Sequence, residues 1–273
     1  SEGGGLVRGG ADTAFVGEKM YAGYAGAGGS HGVPTIPNRV VRVNPDGSVT
    51  TIADLSAFLK SHPVAHPTDA VNGDFEPDGT FYSMISVRGD LYTVEPNQGE
   101  ILKVTTSGQV SRLIDISATQ GHIVPTAIAY HGNFYVGNLD RFGIPSGSSN
   151  VYKITPSGNI KVSASGFSVV TGVVFDGRGR MYVLEASTDS EGLSTPGQIV
   201  RVDPSGRQQV IVTDLTTPTA MTMGPAGTLS VSTFGFGPPP IVLGPFLKVQ
   251  FAHFTSRNPL PCFRLVALVQ ARS

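Results

Sequence analysis

The chain has 273 residues, of which 40% are hydrophobic and only 14% charged, against roughly 25% charged in an average globular protein. The formal net charge is −1 and no Lys/Arg cluster occurs, so neither a nucleic-acid backbone nor an anionic lipid surface is an expected partner. Cys262 is the only cysteine and no 18-residue apolar run exists, which excludes an internal disulfide framework, a cysteine-based zinc site and a helical membrane span.

Met20-Tyr21-Ala22-Gly23-Tyr24 reads as the first strand of a recurring kind. The glycine-rich stretch 23–32 after it looks like a phosphate loop, but it lacks the following Lys-Ser/Thr and no helix pattern succeeds it. It reads as a long, flexible inter-strand loop. Val40-Val41-Arg42-Val43-Asn44-Pro45-Asp46-Gly47 is a β-branched strand running into a turn. Proline presets φ, glycine accepts φ > 0 at the end, and Val49 to Ala53 returns as the second arm of a hairpin. Asp54 to His66 carries Leu55, Phe58 and Leu59 at helical spacing until Pro63 and Pro67 intervene, which predicts one short surface helix.

Residues 69–76 carry three carboxylates, Asp69, Asp74 and Glu76. Turn chemistry accounts for the Asn72-Gly73-Asp74 step as well as a ligand site does. Phe81 to Ser86 and Leu91 to Glu95 read as two strands joined across Arg88-Gly89-Asp90, where a hairpin turn explains the match to the adhesion tripeptide.

The hairpin then recurs as Ile101-Leu102-Lys103-Val104 to Gly108, Val151-Tyr152-Lys153-Ile154 to Gly158, and Ile199-Val200-Arg201-Val202 to Gly206. Its turn glycines stand 61, 50 and 48 residues apart. A strand of the Leu91 to Glu95 kind precedes it at Phe134 to Asn138 and Met181 to Glu185, and Leu229 to Thr233 fits the same frame. One more strand comes before, at Pro125 to Tyr130, Thr171 to Phe175 and Pro218 to Met223. Three or four antiparallel strands repeated every 45–60 residues or so is the period of a propeller blade. The expected fold is therefore an all-β propeller with about five blades, at 11–55, 68–117, 118–168, 169–216 and 217 onward. The pattern breaks after Pro238-Pro239-Pro240, where a fifth hairpin is expected and absent. Residues 1–240 are thus read as the propeller, and 241–273 as a divergent tail that is either an irregular last blade or foreign to the fold.

Several segments together resemble the ScyD/ScyE family, propellers associated with scytonemin biosynthesis clusters. They are Asp74 to Thr80 with Val87 to Asn97, Gln120 to Ala127, Tyr130 to Asn138, and Phe234 to Pro240. The resemblance covers about residues 11–240. It implies a six-bladed, NHL-like (TolB-like) propeller from an exported bacterial protein, extracytoplasmic or secreted, and it carries no catalytic residues to transfer. The family's upstream blade has no counterpart before residue 11, which makes the first blade truncated, and the tail after 240 does not match. Ring closure is left open by both departures.

Tyr24, Glu95, Asn138, Glu185 and Thr233 follow the same strand motif, so they are placed in a ring at the channel. Glu95, Asn138 and Glu185 offer hard oxygen ligands that could hold Ca²⁺, with Asp74 and Glu76 able to complete the set. Capping of strand ends is the weightier reading of the same residues. His122 is the candidate general acid or base, set at the opening of an inner strand, although a hydrogen-bonded structural histidine is the commoner case. Long loops after the motif strands, at 23–32, 139–150, 187–198 and 233–241, are expected to crowd one face, where a small molecule or protein would bind. The leading function is a non-enzymatic binding or scaffold propeller linked to secondary metabolism. The alternative is a metal-dependent hydrolase or lyase, lactonase- or phosphotriesterase-like, with its site at the channel mouth.

Overall fold

The computed structural model describes residues 9–68, 76–141, 144–189, 195–224, 227–233 and 246–249. The elements in chain order begin with β1 (Gly9–Val16), β2 (Lys19–Ala25), β3 (Arg39–Val43), β4 (Val49–Asp54) and α1 (Leu55–Ser61). Then come β5 (Met84–Val87), β6 (Asp90–Glu95), β7 (Glu100–Val104), β8 (Val110–Asp115) and α2 (Ser117–Gln120). They continue with β9 (Pro125–Tyr130), β10 (Phe134–Asn138), β11 (Ser149–Ile154), β12 (Ile160–Phe167), β13 (Val170–Phe175) and β14 (Met181–Glu185). The last are β15 (Gly197–Val202), β16 (Gln208–Leu215), β17 (Ala220–Met223), β18 (Leu229–Ser232) and β19 (Phe246–Val249).

Consecutive strands pair into antiparallel meanders: β1-β2-β3-β4, β5-β6-β7-β8, β9-β10-β11-β12, β13-β14-β15-β16 and β17-β18-β19. The hairpin motif closes each four-stranded sheet in the same way. The N–H of the turn glycine bonds back three residues, from Gly47 to Asn44, Gly108 to Thr105, Gly158 to Thr155 and Gly206 to Asp203, at 2.8–3.0 Å. This is a type I turn followed by a left-handed glycine, a common three-residue hairpin loop. A β-bulge sits at one motif position in three sheets, between Val40 and Val41, Ile101 and Leu102, and Ile199 and Val200. It strengthens the local twist of each outer strand pair.

The fifth sheet carries a copy of the motif strand that the sequence pattern concealed. Phe246-Leu247-Lys248-Val249 lacks the Pro-Gly turn, yet Val249 pairs with Leu229 and Lys248 with Ser230. The same register joins Val104 to Leu91 and Val202 to Met181. The rest of 234–273 lies outside the described residues.

The chain divides into two compact units, Ser1–Arg141 with Lys153–Lys161, and Phe142–Tyr152 with Val162–Ser273. In the first, Tyr21, Val40, Leu91, Leu102 and Met84 form a buried core with Leu55 and Leu59 of α1. The helix starts where the sequence expects it, with the Asp54 carboxylate capping the Ala57 N–H at 2.9 Å. It is the short surface helix expected, burying Leu55 and Leu59 against the core while Ala57, Lys60 and Ser61 stay exposed. In the second unit, Tyr182, Leu184, Ile199, Val212, Leu229 and Val231 make the core. Among the described residues no helix is long and apolar enough to cross a membrane.

One boundary differs from the sequence expectation. The strand expected at 81–86 is regular only from Met84, because the Asp12 carboxylate of β1 accepts from Ser83 Oγ at 3.1 Å and Met84 N at 2.9 Å. The hairpin turn expected at Arg88-Gly89-Asp90 is present, Arg88-Gly89 joining β5 to β6 and Asp90 opening β6 with its carboxylate held by Lys103 at 2.7 Å.

Candidate functional site

Glu95, Asn138 and Glu185 each end the second strand of their sheet, so this strand has a partner on both sides and is not an edge lining a channel. Each side chain turns back onto the backbone that leads into the first strand of its sheet. Glu95 Oε1 accepts from Thr80 N at 3.0 Å. Asn138 donates its amide to the Ile123 carbonyl at 2.9 Å. Glu185 Oε1 accepts from Ser168 N at 2.6 Å. A carboxylate takes an N–H and an amide serves a carbonyl, so one repeat position performs one task with two chemistries.

The remaining oxygens are engaged as well. Glu95 also accepts from Asn97 N at 3.1 Å and Gln98 N at 2.6 Å, closing the turn between β6 and β7. The Gln198 amide donates to Glu185 Oε2 at 2.5 Å, and these two residues are register partners on β14 and β15. All three residues are buried. Burial pushes the Glu95 carboxyl up to about 8 against the opposing pull of its N–H donors. Burial likewise raises Glu185, against the Ser168 N–H and the Gln198 amide. Tyr24 occupies the equivalent place in the first sheet, with the Arg39 guanidinium 5.1 Å from its ring centroid. Thr233 is buried at the end of β18.

The lead-in segments share a strained residue. Val124 and Val169 adopt positive φ, 53° and 47°, a conformation costing a β-branched residue about 1–3 kcal/mol. Their carbonyls accept from Leu139 N and Ala186 N, both at 2.9 Å. Because the strain recurs at one repeat position, it belongs to the fold and marks no special site.

A buried polar cluster holds the glycine-rich loop that the sequence presents as flexible. Asn38 is fully buried. It donates to the carbonyls of Ala27 at 3.1 Å, Asp78 at 3.0 Å and Gly79 at 2.6 Å, and accepts from Ala27 N at 3.1 Å. The Asp78 carboxylate, itself buried, accepts from Ser30 N at 3.3 Å and from the Ser30 hydroxyl. Burial raises the Asp78 carboxyl, but the Ser30 hydroxyl and backbone N–H donors outweigh it and hold it below the usual range. A Cβ on Gly28 would overlap that carboxylate. His31 adds Nδ1 to the Ala27 carbonyl at 3.1 Å and Nε2 to Glu76 at 3.3 Å. The loop is thereby pinned at both ends, because glycine lets the backbone come close enough for Asp78 to grip it. Nothing in the local sequence marks Asn38 or Asp78; their roles depend on contacts 40 or more residues away.

Glu76 thus pairs with His31, and its N–H is held by Asn97 Oδ1 at 2.8 Å. Asp74 lies outside the described residues. His122 lies in the loop before β9, three residues short of the strand it was expected to open. Its Nδ1 is 2.9 Å from Thr68 Oγ1, and that hydroxyl gives its only proton to the Asn97 carbonyl at 2.8 Å. Arg141 Nε donates to the His122 carbonyl at 3.3 Å. Among the described residues, no three His, Cys, Asp or Glu side chains stand close enough together to hold a metal ion.

The chain matches no known protein family and no curated protein by sequence. Among solved structures, it is similar at 13% identity to a chain of a nidogen/laminin complex, with a TM-score of 0.59 over 89% of this chain and 76% of that one. A luciferin-regenerating enzyme aligns at 13% identity and TM-score 0.56, over 88% and 72% of the two chains. A catalytically inactive variant of virginiamycin B lyase from Staphylococcus aureus, solved with quinupristin, aligns at 13% and 0.51 over 89% and 81%. At this identity the likeness carries the fold alone, and with the repeated four-stranded meanders it makes this chain a β-propeller.

Proposed function

We propose that the chain is a non-enzymatic binding or scaffold propeller, six-bladed in type and related to the ScyD/ScyE proteins, exported from a bacterial cell. Its ligand, a small molecule or a protein, would meet the loops that leave the second strand of each sheet. The observation that carries this reading is the use made of Glu95 and Glu185. Both spend their carboxylates on donors of their own sheet and its lead-in segment, backbone N–H groups for Glu95 and the Ser168 N–H with the Gln198 amide for Glu185, as buried polar groups must when they serve the fold. The nidogen/laminin complex supports the binding reading by analogy of fold.

A second reading, a metal-dependent hydrolase or lyase, takes His122 as its acid or base, with Nδ1 2.9 Å from the Thr68 hydroxyl. Calcium separates the two. Thermal melting in calcium chloride and in chelator is expected to give the same midpoint, and lactone and phosphotriester substrates are expected to show no turnover above buffer. A site occupied at a hundredfold excess over its Kd would add about 2.7 kcal/mol. A chelator-reversible rise of that size, with turnover lost in His122→Ala, would establish the enzyme instead.

A further inference from the structure

The turn joining β6 to β7 buries two carboxyl groups side by side. Glu95 ends β6 and Glu100 begins β7, the two are register partners, and both are fully buried. Glu95 is surrounded by the N–H groups of Thr80, Asn97 and Gln98. Glu100 Oε2 is engaged by Arg112 of β8, which also reaches the His62 carbonyl at the end of α1. Glu100 Oε1 is buried without a hydrogen-bond partner.

The other charges nearby do not balance the pair. Asp115 of β8 stands opposite Glu100 in register, its carboxylate on Ala65 N, Ser117 Oγ and Ala118 N. Asp78, beside Thr80's segment, is committed to Ser30. Among the described residues, Arg112 is the cation that touches the pair. Two buried negative charges against one contacting cation, with one oxygen unsatisfied, cost far more than a charge and a neutral acid.

We propose that Glu95 and Glu100 keep one proton between them in the folded chain at neutral pH, and that its loss in mildly alkaline solution lowers the stability of the fold. The pair is then a pH-sensitive element at this end of the sheet. Burial lifts Glu95 to about 8, the Thr80 and Gln98 N–H groups oppose it, and the Glu100 charge pushes the same way as burial. Burial also raises Glu100, against Arg112. An unfolded glutamate has lost its proton above its ordinary 4.5, whereas the folded pair holds one until about 8. The folded state therefore binds more protons across that window, and its stability falls as pH rises through it.

Carboxyl carbon NMR on the full chain, labelled at glutamate, tests this directly. One glutamate is expected to titrate near pH 8 in the wild type. That signal should vanish in Glu95→Gln and move to lower pH in Glu100→Gln, where the neighbouring charge is gone. The folding equilibrium constant should drop by up to about tenfold per pH unit across the window. The proposal is overturned if every wild-type glutamate titrates below about pH 6, or if a signal near 8 survives in Glu95→Gln. Should a variant fail to fold, sequential assignment of the wild-type signal near pH 8 decides the matter: Glu95 or Glu100 supports the proposal, and any other glutamate overturns it.

Discussion

Replacing Asn38 with alanine is expected to destabilise the first unit by about 3–5 kcal/mol, one of the largest effects of any single polar substitution in the chain. The side chain is fully buried and serves three carbonyls and one N–H, on Ala27, Asp78 and Gly79. Its backbone is tied in as well, the N–H to Ser56 Oγ at 3.0 Å and the carbonyl to Leu55 N at 2.9 Å. Each buried group left without a partner costs about 1–3 kcal/mol, and waters entering the space would recover part of it. Urea denaturation should show the midpoint falling with an unchanged slope. Amide exchange at Ala27 and Ser30 should accelerate as the loop is released. A loss under about 1 kcal/mol would show that Asn38 is not the pin.

The second large effect separates two glycines that occupy the same motif position. Gly108 and Gly206 both adopt left-handed φ, 95° and 86°, so alanine costs each about 1 kcal/mol in backbone conformation. Their surroundings differ. A Cβ on Gly206 meets nothing within 4 Å, whereas on Gly108 it would overlap the Ile52 carbonyl oxygen of β4. A backbone carbonyl in a sheet cannot swing aside as a flexible side chain would. Gly108→Ala is therefore expected to cost about 3 kcal/mol and Gly206→Ala about 1. Equal losses in chemical denaturation would refute the idea that the β7–β8 turn packs its backbone onto the first sheet.

Much of the architecture is legible because blade-forming sequence is repetitive. Val40 to Gly47 and its three copies announce strand, turn and strand through β-branching and a turn ending in glycine, and the bulge recurs in three of the four. The fifth copy escaped because its turn chemistry is missing, although Phe246 to Val249 keeps the apolar-apolar-Lys-apolar order. Helix α2, only four residues long, carries too short a pattern to be seen. The functional reading was less legible for a related reason. The shared position of Glu95, Asn138 and Glu185 was visible, but a repeat position identifies equivalence and not direction. Whether such a side chain faces an ion or its own backbone depends on the path of the lead-in segment, which no local motif encodes. Asn38 and Asp78 were invisible altogether, since an isolated Asn or Asp in a loop has no periodicity to betray it.

The central claim is that these repeat-position side chains serve the backbone of their own sheets. A crystal structure grown in calcium chloride tests it most directly. The account predicts Glu185 Oε1 still on Ser168 N near 2.6 Å and Glu95 still on Thr80 N near 3.0 Å, with no ion beside either carboxylate. A cation at about 2.3–2.6 Å from these oxygens, with the two N–H groups released, would contradict it.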